Sequence, residues 1–132
     1  MDENPSLTVF PYYFNGFEYY PMVPVVFLVG KKRIRIQALI DSGATISVFG
    51  EETAQILGVE IEKGKKTILG GVGGRIVGYI HKLRLRIAGK DFFCPIVFSR
   101  EYFVSFNLLG RQEFFNRFKI VFEEKENLVR LE

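Results

Sequence analysis

The sequence is poor in the side chains that most often carry nucleophilic catalysis or metal binding. Its 132 residues include one cysteine, one histidine and no tryptophan. Cys94 cannot form an internal disulfide, and neither it nor His81 has a second Cys or His to support a papain-like nucleophile or a metal site. We therefore expect both to be structural residues of β-strands, and we expect no metal and no other cofactor.

Strong net charge and long apolar runs are also missing. The chain has 18 basic and 15 acidic residues, a net charge of +3, which makes no strong case for nucleic acid. The basic cluster 31–35 is most simply a solvated strand face, with a nucleic-acid patch as the minor alternative. No apolar run reaches the ~18 residues of a membrane-spanning helix, and the acidic N-terminus lacks the apolar region of a signal peptide. We expect a cytoplasmic protein that binds no membrane.

The apolar pattern is that of β-strands. Hydrophobic residues make up 48% of the chain, with 14 phenylalanines, enough for a sizeable core. Residues 33–38 and 83–87 alternate apolar and charged side chains, which predicts half-buried strands; 25–29 and 92–98 are apolar runs typical of buried ones. Two short helices are predicted, at 51–57, which Gly58 follows, and at 111–118. We expect one mostly-β, barrel-like domain over residues 1–132.

The two ends of the chain have their own patterns. Residues 1–21 form an aromatic extension, in which Asn15-Gly16 predicts a hairpin with strands near 9–14 and 17–20. This hairpin either covers the core or adds an exposed aromatic edge to a subunit interface. Residues 121–132 predict a final strand or hairpin, which leaves 22–120 as the core of the domain.

The most informative stretch is 38–45, where an apolar strand runs into Asp41-Ser42-Gly43-Ala44. An ionised Asp at the end of an apolar run is costly unless it is hydrogen-bonded or paired. The Ser42 hydroxyl and the Gly43 backbone can supply such bonds. Taken alone, this motif is as consistent with a strand end that carries an Asx-turn as with a functional carboxylate.

Two later stretches change that balance. Gly70-Gly71-Val72-Gly73-Gly74 stands between strand-like flanks at 65–69 and 75–80, which predicts a mobile hairpin. It lacks the following helix and the Lys-Ser/Thr pair of a phosphate-binding loop. Further on, Leu108-Leu109-Gly110-Arg111 leads into the second predicted helix.

In this order and spacing, the three stretches resemble the retroviral-type aspartic proteases (retropepsins) over roughly residues 22–120. The resemblance implies a single-domain, closed barrel-like fold, mostly β, with one or two short helices and a β-hairpin flap. It implies that Asp41 is catalytic, that Ser42, Gly43 and Ala44 support it, and that Leu108, Leu109, Gly110 and Arg111 form a structural motif. The implied flap and substrate-binding residues are Thr45, Val48, Gly70, Gly71, Val72, Gly73, Gly74 and Ile76.

The number of motifs predicts the assembly. Aspartic proteases use two carboxylates that share one proton, and two-lobed pepsins carry the motif twice in a much longer chain. Here it occurs once, so the second carboxylate must come from another copy across a two-fold axis. We therefore expect a homodimeric aspartic endopeptidase that cleaves extended, largely apolar peptide segments.

Two other interpretations stay open. Retroviral enzymes commonly have an acidic residue two positions after the motif glycine, and it pairs with the arginine that follows the Leu-Leu-Gly-type motif. Here that position is Thr45, which leaves the partner of Arg111 undefined and favours a module that dimerises and binds peptides without cleaving them. The third interpretation is a processing domain cut from a longer polyprotein, although nothing in the sequence indicates flanking domains.

Overall fold

A computed structural model describes residues 8–71 and 74–132. Within these ranges the chain is mostly strand, with two short α-helices, as predicted. The strands are β1 (Val9–Pro11), β2 (Tyr13–Phe14), β3 (Tyr19–Tyr20), β4 (Met22–Val29), β5 (Lys32–Ile40), β6 (Ser47–Gly50), β7 (Lys65–Gly71), β8 (Gly74–Ile87), β9 (Lys90–Ser99), β10 (Leu108–Leu109), β11 (Ile120–Glu123) and β12 (Leu128–Leu131). The helices are α1 (Glu51–Leu57) and α2 (Phe114–Arg117), and 3-10 turns occur at Ile61–Lys63 and Glu124–Glu126.

Six strands close into a barrel. They pair in the order β4-β5-β10-β6-β9-β8, and β8 returns to β4 through the pairs Val26–Arg86 and Phe27–Leu85. β7 pairs with the first half of β8, outside this ring. Closure removes the free edges that an open sheet would expose to other chains, and it confirms the barrel-like architecture that the sequence predicts.

The interior of the barrel is filled by the alternating apolar residues. On β5, Ala38 and Ile40 are buried, while the exposed Arg33 and Arg35 lie on the other face, as predicted. Phenylalanine rings from three strands pack edge to face at the centre: Phe27 on Phe49 at 5.4 Å and Phe49 on Phe98 at 6.5 Å between centroids. Such pairs stabilise a core beyond the apolar area that they bury.

Helix α1 has the predicted bounds. Glu51 and Glu52 lie in its first turn, where acidic side chains interact favourably with the helix dipole. Gly58 ends the helix in a left-handed conformation, φ 74°, and its N–H donates to carbonyl oxygens of the last turn. Ala54 and Leu57 are buried, so the helix packs its apolar face on the core.

The second helix is shorter than predicted. The apolar spacing of 111–118 predicts a helix over that whole range, but α2 covers only Phe114–Arg117. Glu113 has φ +66° and Phe118 is extended, so the backbone leaves the helical region on both sides. Phe114 and Phe118 are nevertheless buried, and the predicted core-facing stripe is confirmed.

The N-terminal segment divides between two sheets, which differs from the single predicted hairpin. β1 pairs with β12, and β12 with β11, in a three-stranded sheet; the β11–β12 hairpin is as predicted. β2 and β3 form the aromatic hairpin, with Tyr13 opposite Tyr20. Its loop has four residues, because Asn15 Oδ1 accepts the N–H groups of Phe17 and Glu18 at 2.9 Å each and so stabilises a wider turn.

Candidate active site

Asp41 lies where β5 ends, at the start of the loop that leads to β6. Its N–H donates to the carbonyl oxygen of Leu109 at 2.9 Å, and its own carbonyl accepts the Ala44 N–H at 3.2 Å. These bonds fix the backbone on both sides of the side chain. Asp41 is partly exposed, while Ser42 and Gly43 are exposed, so the motif faces outward from the closed barrel.

The Asp41 carboxylate is oriented by its own turn. Oδ1 accepts the Gly43 N–H at 2.9 Å, the bond that the motif predicts for this carboxylate. A Cβ on Gly43 would lie 3.2 Å from the same oxygen. The glycine therefore allows the backbone to approach the carboxylate closely.

Strand β10 lies between β5 and β6 and connects the two sequence motifs. It runs parallel to β5, with Leu109 beside Ile40, and antiparallel to β6, with Leu108 beside Val48. This insertion places the Leu-Leu-Gly-Arg motif directly beside the Asp41 loop. Asn107, just before β10, accepts the Gly50 N–H through Oδ1 at 3.0 Å, and its own carbonyl accepts the Leu39 N–H at 2.8 Å.

Gly110 fits where a larger residue does not. Its N–H donates to Ser47 Oγ at 3.0 Å. A Cβ at this position would lie 2.5 Å from the Ile46 carbonyl oxygen and 2.9 Å from that of Ala44. The requirement for glycine therefore comes from the contact between β10 and the Asp41 loop.

Arg111 is held mainly through its backbone. The N–H groups of Arg111 and Gln112 donate to the carbonyl oxygens of Ala44 and Thr45 at 2.9 and 2.8 Å. The Arg111 guanidinium reaches Thr45 Oγ1 at 3.4 Å, a long bond at an exposed position. Thr45 is thus the partner that the sequence left undefined, and it contacts Arg111 without an ion pair.

Tyr102 lies near Asp41, and the motifs do not predict it. Its hydroxyl donates to the carbonyl oxygen of Phe106 at 2.6 Å. Burial raises the pKa of Tyr102 to about 12, and the charge of Asp41 adds to the rise. The stretch between β9 and β10 has neither helical nor strand periodicity, so no local pattern could have placed this residue.

The glycine-rich segment forms the expected hairpin from β7 and β8. The pairs run from Lys65–Ile80 to Gly71–Gly74, with Ile76 opposite Leu69 and half-buried. Gly70, Gly71 and Gly74 are exposed, and Gly74 has φ +118°. Val72 and Gly73, at the middle of the predicted tip 70–74, lie outside the described residues. Pairing of β8 with β9 begins at Tyr79–Phe98, so the outer part of the hairpin extends beyond the barrel.

Two side chains fasten the base of this hairpin to the end of β9. Val77 donates its N–H to Glu101 Oε1 at 2.9 Å and accepts the Ser99 hydroxyl on its carbonyl oxygen at 2.5 Å. Ser99 Oγ in turn accepts the Glu101 N–H at 3.1 Å. The sequence did not point to either residue, because hydrogen bonds between residues 22 and 24 positions apart leave no local pattern.

Three other residues considered from the sequence, Val48, His81 and Cys94, pack within the fold. Val48 is 7% exposed, which leaves little of its side chain for a ligand. His81 Nε2 lies 2.9 Å from the Ile61 carbonyl oxygen, and Cys94 is fully buried, which raises the pKa of its thiol to about 12. Both have the structural character that was predicted. Across residues 8–71 and 74–132, no group of acidic, His or Cys side chains could hold a metal ion, and no helix is long and apolar enough to cross a bilayer.

A family model described as aspartyl protease matches residues 23–110 of this chain. The crystal structure of a retropepsin-like aspartic protease from Rickettsia conorii aligns with a TM-score of 0.69 and 21% identity, covering 92% of this chain and 94% of that one. EIAV protease complexed with the inhibitor HBY-793 aligns with a TM-score of 0.56 and 22% identity, covering 75% and 88%. No curated protein matches the chain by sequence. The fold is therefore retropepsin-like, as the three motifs predict.

Proposed function

This chain belongs to the aspartyl protease family, and we propose that it is an endopeptidase that works as a homodimer with one Asp41 from each subunit. The observation that carries the proposal is the setting of Asp41. Its backbone is fixed by Leu109 and Ala44, its Oδ1 is oriented by Gly43, and the residue is partly exposed at the end of β5. A carboxylate so positioned can meet a second copy of itself across a two-fold axis.

The chemistry follows from placing two carboxylates together. Two like charges about 3 Å apart cannot both ionise, so the pair holds one proton. The ionised Asp41 takes a proton from a water molecule, which attacks the scissile carbonyl carbon. The protonated Asp41 donates a hydrogen bond to the carbonyl oxygen as negative charge develops on it. Ser42 braces the pair across the axis, and Ala44 supports the turn through its bond to Asp41.

The substrate is an extended peptide that adds as a strand beneath the β7–β8 hairpin. Backbone groups of Gly43 and of the glycine segment pair with the peptide, and closure of the hairpin excludes water. The half-buried Ile76 and the exposed Thr45, with its methyl group, border the path of the peptide. Apolar side chains therefore suit this site, which supports a preference for largely apolar segments.

Digestion of a peptide library at several pH values, with and without pepstatin, tests the proposal. We expect specific cleavage that pepstatin blocks. Asp41→Asn should lower the rate by more than the ~10²–10⁴ that general acid–base catalysis alone supplies, because it also removes activation of the water. Asp91→Asn is the matched control, since Asp91 pairs with Arg84 and Arg86 on the barrel surface.

Two results would contradict this function. Peptide binding without cleavage, at every pH, would instead identify a peptide-binding module. Cleavage by purified Asp41→Asn at the wild-type rate would exclude Asp41 as the catalytic residue.

A further inference from the structure

Large apolar side chains are exposed on two segments, the β2–β3 hairpin (residues 13–20) and the loop before β10 (residues 103–106). We call these two segments the aromatic surface. Phe17 at the hairpin tip is 90% exposed and Phe103 is 89% exposed. Further exposed side chains on the same segments are Tyr13, Phe14, Tyr19 and Val104. A concentration of this kind marks an interaction site rather than an ordinary surface.

The two segments contact each other and flank Asp41. Tyr20 packs on Phe106 with ring centroids 4.7 Å apart. Pro21, directly after β3, accepts the N–H of Ile40 at 3.0 Å, and Ile40 immediately precedes Asp41. Tyr102, which directly precedes the second segment, is close enough for the charge of Asp41 to act on its hydroxyl. The aromatic surface therefore continues directly from the edge of the candidate active site.

The composition of this surface suits a protein partner. Glu18 is the only charged residue in 13–20 and 103–106. Depletion of charge together with enrichment of Tyr and Phe is typical of the buried centre of an interface. A two-stranded sheet such as β2–β3 is at best marginally stable in water. A partner protein that packs against its exposed aromatic rings would therefore stabilise it.

We propose that the aromatic surface is where a second copy of this chain docks, and that this contact holds the two Asp41 carboxylates together. The inference rests on the proposed function, since a second Asp41 must approach this end of the barrel. A nearly uncharged surface can meet itself across a two-fold axis without like-charge repulsion. Within residues 8–71 and 74–132, β1 pairs with β12 of its own chain in a separate three-stranded sheet.

A groove at the base of the β2–β3 hairpin could receive a side chain of the second copy. Its volume is about 570 Å³, and its lining is Pro11, Tyr12, Tyr13, Met22, Gln37 and Phe106. In a symmetric interface, a side chain of one subunit fills a site on the other and the reverse contact repeats it. We infer that Phe17 of each copy enters the groove of the other, since buried aromatic anchors in pockets dominate such interfaces.

The test is sedimentation equilibrium of the full chain, which measures the dimer dissociation constant without reference to activity. Phe17→Asp and Phe103→Asp should each raise that constant at least about tenfold. Both side chains are almost fully exposed in one chain, so circular dichroism should show an unchanged fold. The matched control is Phe93→Asp, because Phe93 is 55% exposed on β9, outside the aromatic surface. It should leave the constant unchanged.

The outcomes separate this inference from the proposed function. A dimer that is weakened by the Phe17 and Phe103 variants but cleaves no peptide would support the docking surface and contradict the protease. An active dimer that neither variant weakens would overturn the docking surface and leave the protease standing. A wild-type chain that stays monomeric, or variants that raise KM without changing the dissociation constant, would also overturn it; the latter result would assign the surface to substrate.

Discussion

The backbone N–H of Asp41 donates a hydrogen bond to the carbonyl oxygen of Leu109 at 2.9 Å. This bond joins the end of β5 to the end of β10, two elements that lie far apart in the chain. Because the backbone of Asp41 is held from β10, the direction of its carboxylate depends on how β10 and the residues after it pack against the loop. Changes at β10 should therefore affect the site through the position of the Asp41 backbone.

Gly110→Ala tests this dependence. The added Cβ would lie 2.5 Å from the Ile46 carbonyl oxygen, so β10 must shift away from the Asp41 loop. We expect a loss of unfolding free energy on the order of 1–3 kcal/mol, as for other overpacked sites, and a fall in kcat/KM. The control for stability alone is Gly70→Ala, because a Cβ on Gly70 meets nothing within 4 Å. Equal melting temperatures for the two variants would contradict the close contact.

Glu101→Ala tests the tether at the base of the β7–β8 hairpin. The change removes the acceptor of the Val77 N–H, and the Ser99 bond remains. A hydrogen bond of this kind contributes about 0.5–1.5 kcal/mol, so kcat/KM should fall by up to about tenfold, mainly through KM. The melting temperature should change little, and Glu126→Ala, an exposed site in the last 3-10 turn, is the control. Unchanged peptide kinetics would show that the tether does not position the hairpin.

Glu62→Gln tests the ion pairs of Arg100, which bonds both Glu62 and Glu51. The hydrogen bond from Arg100 lowers the pKa of Glu62 from 4.5 to about 2. A folded-state pKa below the unfolded one stabilises the fold above about pH 4.5, and that contribution disappears as the pH falls towards 2. The wild type should therefore melt higher than the variant at pH 7, by a small margin at this exposed site, and the margin should close on acidification. A margin that stays constant from pH 7 down to pH 3 would contradict the assignment.

The sequence predicted those features of the fold that depend on interactions between residues close together in the chain. Gly58 fixed the end of α1 because a glycine readily adopts the left-handed conformation observed there. The alternation of β5 predicted which side chains face the core, since successive residues of a strand point to opposite sides. The sequence also predicted the turn at Asp41 and the hydrogen bond from the Gly43 N–H to its carboxylate.

Contacts between distant segments could not be read in the same way. β1 separates from the aromatic hairpin because its partner is β12, near the other end of the chain. The apolar stripe of 111–118 favours a helix throughout, but the backbone bonds of Arg111 and Gln112 to the Asp41 loop are made outside α2. The tether of Val77 and the position of Tyr102 also depend on tertiary contacts. The bonds of Arg111 and Gln112 to the Asp41 loop and the position of Tyr102 therefore had to be seen in the structure.

The central claim is that each active site needs Asp41 from two chains. Wild type exchanged with Asp41→Asn subunits tests it directly, with exchange confirmed by mass-tagged subunits. A mixed dimer has one carboxyl group where the mechanism needs two, so activity at constant total protein should follow the square of the wild-type fraction. An equimolar mixture should then retain about one quarter of the wild-type activity. Activity that falls in direct proportion to the wild-type fraction, about one half at equal amounts, would show that each chain works alone and would contradict the shared carboxylate pair.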